Sequence, residues 1–291
     1  MTFRTEAPLM ASTSAGLTEA VLYDALVNYL VSMARTVEGA MNRALDALIS
    51  LDSSRTSALP GEVFLLEPRI NEMEIVIDEH AIRLLRRGSF SDDEMRLIVA
   101  ALKITNDLER IGDLAVNLAQ GAVSLREMPG ARVPEELAPM AVAVRAMVSK
   151  SLGALIFRNV EMATQVLESD DVVDQYRDRI FENLLAGMTQ QATFVSPGLQ
   201  FILATRHLER IADHATNIAE DIIFWVRGLD VRHGRGLTMR PDRSGEGGNS
   251  ENGIPASGQG ALHTSSDAAA VIENSHALDA GVTPACDTDR A

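Results

Sequence analysis

Apolar residues recur every three to four positions along most of the first 230 residues, the spacing that keeps them on one side of an α-helix. Leu22, Leu26, Tyr29, Met33, Val37, Met41, Leu45 and Leu48 define one such face, in a run from Leu17 to Leu51 that contains no proline and only Gly39 as a breaker. A long first helix is expected there. After the turn-rich stretch from Ser53 to Gly61, a second helix carries Ile70, Met73, Ile77, Ala81 and Leu84 and closes at Arg86-Arg87-Gly88, with cations and then a glycine past its end. Pro68 is expected to start or kink it. Ser91-Asp-Asp-Glu94 reads as a capping box opening a third helix that runs to about Glu127, where Met128-Pro129-Gly130 ends it.

The order then starts again. Pro134-Glu135-Glu136 predicts a proline at the first helical position and acids in the first turn of a long fourth helix reaching Ser169, with Met140, Val144, Met147, Leu155 and Val160 on its apolar side. A fifth helix is expected from Asp170 to about Gln191. Ser196-Pro197 should cap a sixth, which Gly228 stops after Phe224-Trp225-Val226.

The repetition extends to residues. Asp107-Leu-Glu-Arg-Ile-Gly-Asp-Leu-Ala-Val-Asn-Leu-Ala119 returns 100 positions later as His207-Leu-Glu-Arg-Ile-Ala-Asp-His-Ala-Thr-Asn-Ile-Ala219, with 8 identities in 13. In the second helices, Glu67-Pro-Arg-Ile-Asn71 aligns with Asp170-Asp-Val-Val-Asp174 at an offset of 103, the difference being taken up in the following turn. The fold class expected is therefore all-α: two tandem, pseudo-repeated three-helix bundles, six helices in all, with a disordered C-terminal tail. The boundaries read as a flexible start over 1–16, repeats over 17–128 and 134–231, and a tail over 232–291. From His233 onward there are 9 Gly, 3 Pro and no Phe, Trp or Tyr, too little apolar surface to offset ordering entropy.

Composition agrees with helices. The chain of 291 residues is 46% hydrophobic but only 4% aromatic, a profile that suits close helix packing better than a sheet. The net charge of −15 disfavours a nucleic-acid surface, because phosphate would be repelled, and leaves cations or basic proteins as the fitting partners. The single cysteine, Cys286, excludes a disulfide framework and a thiolate metal site. No stretch reads as a signal peptide or reaches the length that spans a bilayer, so a cytoplasmic protein is expected.

On the repeated helix, Glu109, Asp113 and Asn117 form a row at the edge of the apolar arc, one helical turn of about 6 Å apart, and Glu209, Asp213 and Asn217 repeat it. Carboxylates four residues apart repel one another unless a cation sits between them. That cation can be an arginine, Arg110 and Arg210 being adjacent in sequence and others available on neighbouring helices, or it can be a metal. Asn71, Glu74 and Asp78 share one side of the second helix, and Asp170 with Asp174 does so on the fifth, so each bundle can offer acids from two helices to one ion. The metal reading assigns Glu109, Asp113, Glu209, Asp213, Asn71, Glu74, Asp78, Asp170 and Asp174 as ligands of divalent or trivalent cations. An all-oxygen set favours Mg²⁺, Mn²⁺ or Fe³⁺ over copper. A metal-storage or metal-dependent helical-bundle enzyme is the alternative from another class, and an adaptor whose acids only pair with arginines is a third. The two Glu-x-x-His motifs on separate helices that di-iron oxidases use do not occur, the single Glu273-Asn-Ser-His276 falling in the expected tail, and no phosphate-cradling glycine loop, nucleophile elbow or Cys-His pair is present, so no enzyme is expected.

Glu109-Arg-Ile-Gly-Asp113 and Glu209-Arg-Ile-Ala-Asp213 closely resemble the paired motifs of the PhoU family of phosphate-transport regulators. The likeness takes in Ile70-Asn-Glu-Met-Glu-Ile-Val-Ile-Asp-Glu79, Val173-Asp-Gln-Tyr176 and Phe224-Trp-Val-Arg-Gly228, and covers roughly Leu17 to Val231. It implies a non-enzymatic cytoplasmic regulator of phosphate uptake and homeostasis, a negative regulator of the phosphate-starvation response. Such an adaptor couples the ATPase of a phosphate ABC transporter to a sensor histidine kinase and meets the membrane only through these partners. The resemblance also implies a homodimer, and iron or zinc beside Mg or Mn as candidate ions on the acidic motifs.

Overall fold

Helical periodicity accounts for nearly every element. The computed structural model describes residues 11–51, 53–232 and 237–238, with side chains from 22 to 51 and from 53 to 232. Seven helices follow in order: α1 (Ala11–Ile49), α2 (Leu59–Leu85), α3 (Asp92–Glu127), α4 (Leu137–Phe157), α5 (Val160–Leu167), α6 (Asp170–Gln190) and α7 (Val195–Arg227). Single 3-10 turns at Ser54–Thr56 and Ala192–Phe194 lead into α2 and α7, and a minimal antiparallel pair, β1 (Leu229–Asp230) with β2 (Leu237–Thr238), follows α7. The fold is all-α, as the sequence pattern implies. Most of the expected tail, 232–291, lies outside the described residues, as do residues 1–10.

The two motif helices are central. α3 packs along α7, α1 and α2 pack on α3, α4, α5 and α6 pack on α7, and α1 also touches α4. The core between them is aliphatic: Leu26, Met33, Val37, Met41, Leu45 and Leu48 of α1 are completely buried, as the periodicity requires. Leu22 and Tyr29 of that face are not fully buried, and the Tyr29 ring lies tilted against His80 with ring centroids 4.7 Å apart. Dense aliphatic packing of this kind sets a cost of about 2–5 kcal/mol on a Leu-to-Ala change at any of these sites.

Helix ends follow the local chemistry in several places. Ser91 accepts from the Glu94 N–H while the Glu94 carboxylate accepts from the Ser91 N–H, the full capping box. Gly228 adopts a left-handed φ of 67° and donates to the Phe224 carbonyl at 2.8 Å, ending α7 where the sequence puts the stop.

Other boundaries differ from expectation, each for a physical reason. α1 begins at Ala11 and not near Leu17, since a helix already nucleated extends by one backbone bond per residue without needing an apolar face. α2 begins at Leu59, with Pro60 in the first turn where a fixed φ and a missing N–H cost least. Pro68 is left inside the helix, spanned by a bond from the Asn71 amide to Glu67 at 2.8 Å. α4 starts at Leu137: the segment from Pro134 is a turn, and Glu136 accepts from the Asn183 amide at 2.8 Å instead of facing the helix start. α7 starts at Val195, because the 3-10 turn before it passes straight into the helix and puts Ser196 inside the first turn.

The expected fourth helix is broken in two. Arg158 takes a left-handed conformation (φ 50°, ψ 43°), and the Asn159 side chain caps α5 by accepting from the Met162 N–H at 2.9 Å. α4, at 21 residues, is long and apolar enough to cross a bilayer by length and composition, contrary to the expectation that no stretch is, and half of its apolar stretch is buried inside the fold.

Candidate metal centres

The burial register fixes where the acids lie. Leu108, Ile111, Ala115 and Leu118 of α3 and their counterparts Leu208, Ile211, Ala215 and Ile218 of α7 are buried. Ile70, Ile77 and Ala81 of α2 match Val173, Ile180 and Leu184 of α6 in the same way, which confirms the offset of 103 between the second helices. α2 meets α3 closely at Gly112, where a Cβ would stand 3.1 Å from Ile70 Cδ1. That contact turns the side of α2 that carries Asn71, Glu74 and Asp78 toward α3, and the Glu74 charge is felt by Glu109 and feels Asp113 there.

In this first cluster the carboxylates crowd one another. Burial raises the Glu109 carboxyl above the usual carboxylate range, and the neighbouring Asp113 charge adds to it. Burial also raises Glu74, with Asp78 and Asp113 reinforcing the shift and Arg110 opposing it. Arg110 is half exposed and stands off at 3.5 Å from Glu109 and 3.9 Å from Asp113, distances beyond a good charge-assisted hydrogen bond. The Asn71 Oδ1 is shielded from solvent and accepts no hydrogen bond from the described residues.

The second cluster brings together Asp170, Asp174, Glu209 and Asp213, and an arginine enters with them. Arg177 Nη1 lies 2.7 Å from Asp174 and 2.5 Å from Glu209, while its Nε donates to Asp178 at 2.9 Å. The Asp178 bond and the two other carboxylates hold its guanidinium further toward the charged form. Asp170 and Asp213 are both raised, by burial first and then by Asp213 on the one and Glu209 on the other. Arg177 is absent from the expected site residues. The signal for it was the same offset of 103, which sets Arg177 opposite Glu74. A cleft of about 300 Å³ opens beside it, floored by Ile180, Phe181 and Ile202.

The α3–α7 seam carries polar groups that the repeat does not share. His214 Nδ1 is 2.8 Å from Asp107 Oδ1, and the Asn217 amide donates to the same oxygen at 3.3 Å. One turn along, the buried Asp221 accepts from Lys103 at 3.3 Å, with Arg232 at 3.9 Å. His207 faces a small cleft lined by Asn117, Gln120 and Gln200, and burial followed by the Arg210 charge lowers its pKa. Neither histidine joins an acidic cluster as a matched ligand of both repeats.

Among the described residues no three carboxylate, histidine or cysteine groups converge as a metal shell requires. The donor chemistry separates the two clusters all the same. The first offers carboxylate and amide oxygens that repel one another, with an orphaned amide oxygen on the same side of α2, and this set fits a hard cation. The second already holds a guanidinium against its acids and does not fit one as it stands.

The chain is similar in sequence and fold to known proteins. A family model described as PhoU domain matches residues 30–122 and again 137–222. A Pseudomonas aeruginosa protein named phosphate-specific transport system accessory protein PhoU homolog is 37% identical over 207 residues, spanning 71% of this chain and 84% of its own length. A Pseudomonas putida protein of the same name is also 37% identical, over 71% of this chain and 79% of its own. The crystal structure of PhoU from Pseudomonas aeruginosa superposes with a TM-score of 0.67 at 35% identity, covering 72% of this chain and 99% of the other. The structure of the phosphate transport system regulatory protein PhoU from Streptococcus pneumoniae, at 23% identity and a TM-score of 0.65, shares the fold.

Proposed function

This chain belongs to the PhoU family, and from that premise we propose that it is a cytoplasmic regulator of phosphate uptake and homeostasis that restrains the phosphate-starvation response. It acts as an adaptor between the ATPase of a phosphate ABC transporter and a sensor histidine kinase, and works as a homodimer. The observation that carries the reading is the doubled acidic motif on α3 and α7, in a chain whose relatives are named as accessory proteins of the phosphate-specific transport system. The metal-dependent enzyme alternative draws no support from those relatives. An adaptor needs no chemistry of its own, since differential binding to one state of a kinase is enough to shift its population.

The proposal extends to a cation on the first cluster, held by Glu109 and Asp113 of α3 with Asn71, Glu74 and Asp78 of α2. Mg²⁺, Mn²⁺, Fe³⁺ and Zn²⁺ are the candidates. When bound, the ion supplies positive charge that relieves the repulsion among these carboxylates and ties α2 to α3.

Deletion of the gene in phosphate-rich medium should turn on starvation-induced genes, such as that for a secreted phosphatase, and reintroducing the full chain should turn them off. Unchanged expression on deletion, in a strain with no second copy of the gene, would overturn the regulator reading.

A further inference from the structure

We infer that the second acidic cluster is closed by Arg177 and takes no metal, so that the chain carries one cation-loading bundle and one arginine-locked bundle. This rests on the proposal that the first cluster binds a cation, and it concerns where that proposal stops.

The internal repeat supplies the comparison. With buried positions aligned at an offset of 103, Arg177 takes the place of Glu74 and Phe181 that of Asp78. The acidic motif helices match at these points, Glu109 with Glu209 and Asp113 with Asp213, so the facing helix alone decides the outcome. Two acids in the first bundle become a guanidinium and a phenyl ring in the second.

Arg110 and Arg210 occur in both copies and so cannot account for the difference. Arg177 can. Its guanidinium bonds Asp174 and Asp178 on α6 and Glu209 on α7, at distances of 2.7, 2.9 and 2.5 Å, whereas Arg110 stands 3.5 Å or more from its acids. Charge-assisted bonds of this length are about twice as strong as neutral ones, and an ion seated on Asp174 and Glu209 would have to displace two of them while the Asp178 bond keeps the guanidinium in place. The fixed cation bridges the two helices as an exchangeable one would, without dependence on metal supply. Phe181 stands where the first repeat has the Asp78 carboxylate, and with Ile180 and Ile202 it forms the apolar floor of a cleft whose walls carry Arg177, Arg206 and Glu209.

The test uses the full chain freed of metal by chelator and dialysis, with Mn²⁺ uptake read by calorimetry and by metal analysis. Wild-type uptake should be abolished by Asp113→Asn and unaffected by Asp213→Asn. Arg177→Glu, which restores the acid found in the first repeat, should roughly double uptake, and the increment should vanish in Arg177→Glu/Asp213→Asn. Arg177→Gln serves where the glutamate variant fails to fold, with a smaller increment expected. Loss of wild-type uptake on Asp213→Asn, or uptake unchanged by both substitutions of Arg177, would overturn the inference. If the wild type takes up no Mn²⁺, the first cluster's assignment fails; uptake newly gained on Arg177→Glu would still establish the lock, and none gained would refute it.

Discussion

His214 Nδ1 approaches Asp107 Oδ1 to 2.8 Å across the α3–α7 seam, joining the two repeats through residues that the repeat does not conserve within itself. Asp107 matches His207 and His214 matches Leu114 in the internal alignment. The pair is thus a one-sided joint, and Asp107 is largely buried with the Asn217 amide as its second donor among the described residues. His214→Ala should leave that carboxylate short of a partner and cost about 2–3 kcal/mol. A fall of roughly 5–10 °C in the thermal midpoint is expected. Asp107→Asn should cost less, and the double variant should be no worse than His214→Ala alone. Additive losses in this cycle would show that the two side chains do not act on each other.

The close approach of α2 to α3 offers a packing test. Ile70 sits against Gly112, while the equivalent positions in the second repeat are Val173 and Ala212, so one methyl has moved from one side of the contact to the other. Gly112→Ala gains about 1 kcal/mol of helix propensity but crowds Ile70, which costs about 1–3 kcal/mol in a dense core. Alone it should bring no gain in stability. Ile70→Val alone should cost about 0.5–1.5 kcal/mol. Combined, they should match or exceed the wild type, and a double variant that merely sums two losses would refute the compensation.

Arg158 sets a second contest of magnitudes. Its left-handed backbone costs a non-glycine residue about 1–2 kcal/mol, while its guanidinium lies 4.7 Å from the centroid of the Trp225 ring, a contact worth about 0.5–1 kcal/mol. Arg158→Ala loses the ring contact and keeps the strain; Arg158→Gly loses the contact and relieves it. The glycine variant should be the more stable of the two by about 1 kcal/mol in chemical denaturation. The reverse order would mean that strain at this break is not what the backbone angle implies.

The class of fold was legible because aliphatic spacing persists over whole helices, and the buried sets of α1, α2, α3, α6 and α7 follow it. The break between α4 and α5 was not legible: Arg158-Asn159 contains neither glycine nor proline, and the Trp225 ring that the Arg158 guanidinium lies over arrives from α7. Of the candidate sites, the two acidic rows could be read from a single helix each. The cation facing the second row could not, since Arg177 reaches Glu209 only when α6 and α7 pack. The Asp107–His214 joint was hidden for the same reason, its partners lying 107 residues apart.

Charge in the first cluster makes the stability of the fold depend on pH. Glu109 and Glu74 have pKa values above the ordinary 4.5, so the folded state holds protons there that the unfolded chain has released. Stability contributed by these groups therefore falls as pH rises from the ordinary carboxylate value through the raised ones. His80 and His207 work in the opposite sense: burial lowers both below 6.5, so their contribution rises with pH up to that value. The two trends overlap, and only a difference between variants separates them. In chelator at pH 7, Glu109→Gln removes one repelling charge and should melt roughly 2 °C or more above the wild type. The advantage should shrink as the pH is lowered through the carboxylate range, because protonation then does for the wild type what the amide does for the variant. With millimolar Mn²⁺ at pH 7 the order should reverse, since an ion bound only by the folded wild type stabilises it by mass action. A Glu109→Gln variant that melts below the wild type in chelator would show that Arg110, and not a displaceable ion, is the cation this cluster is built for.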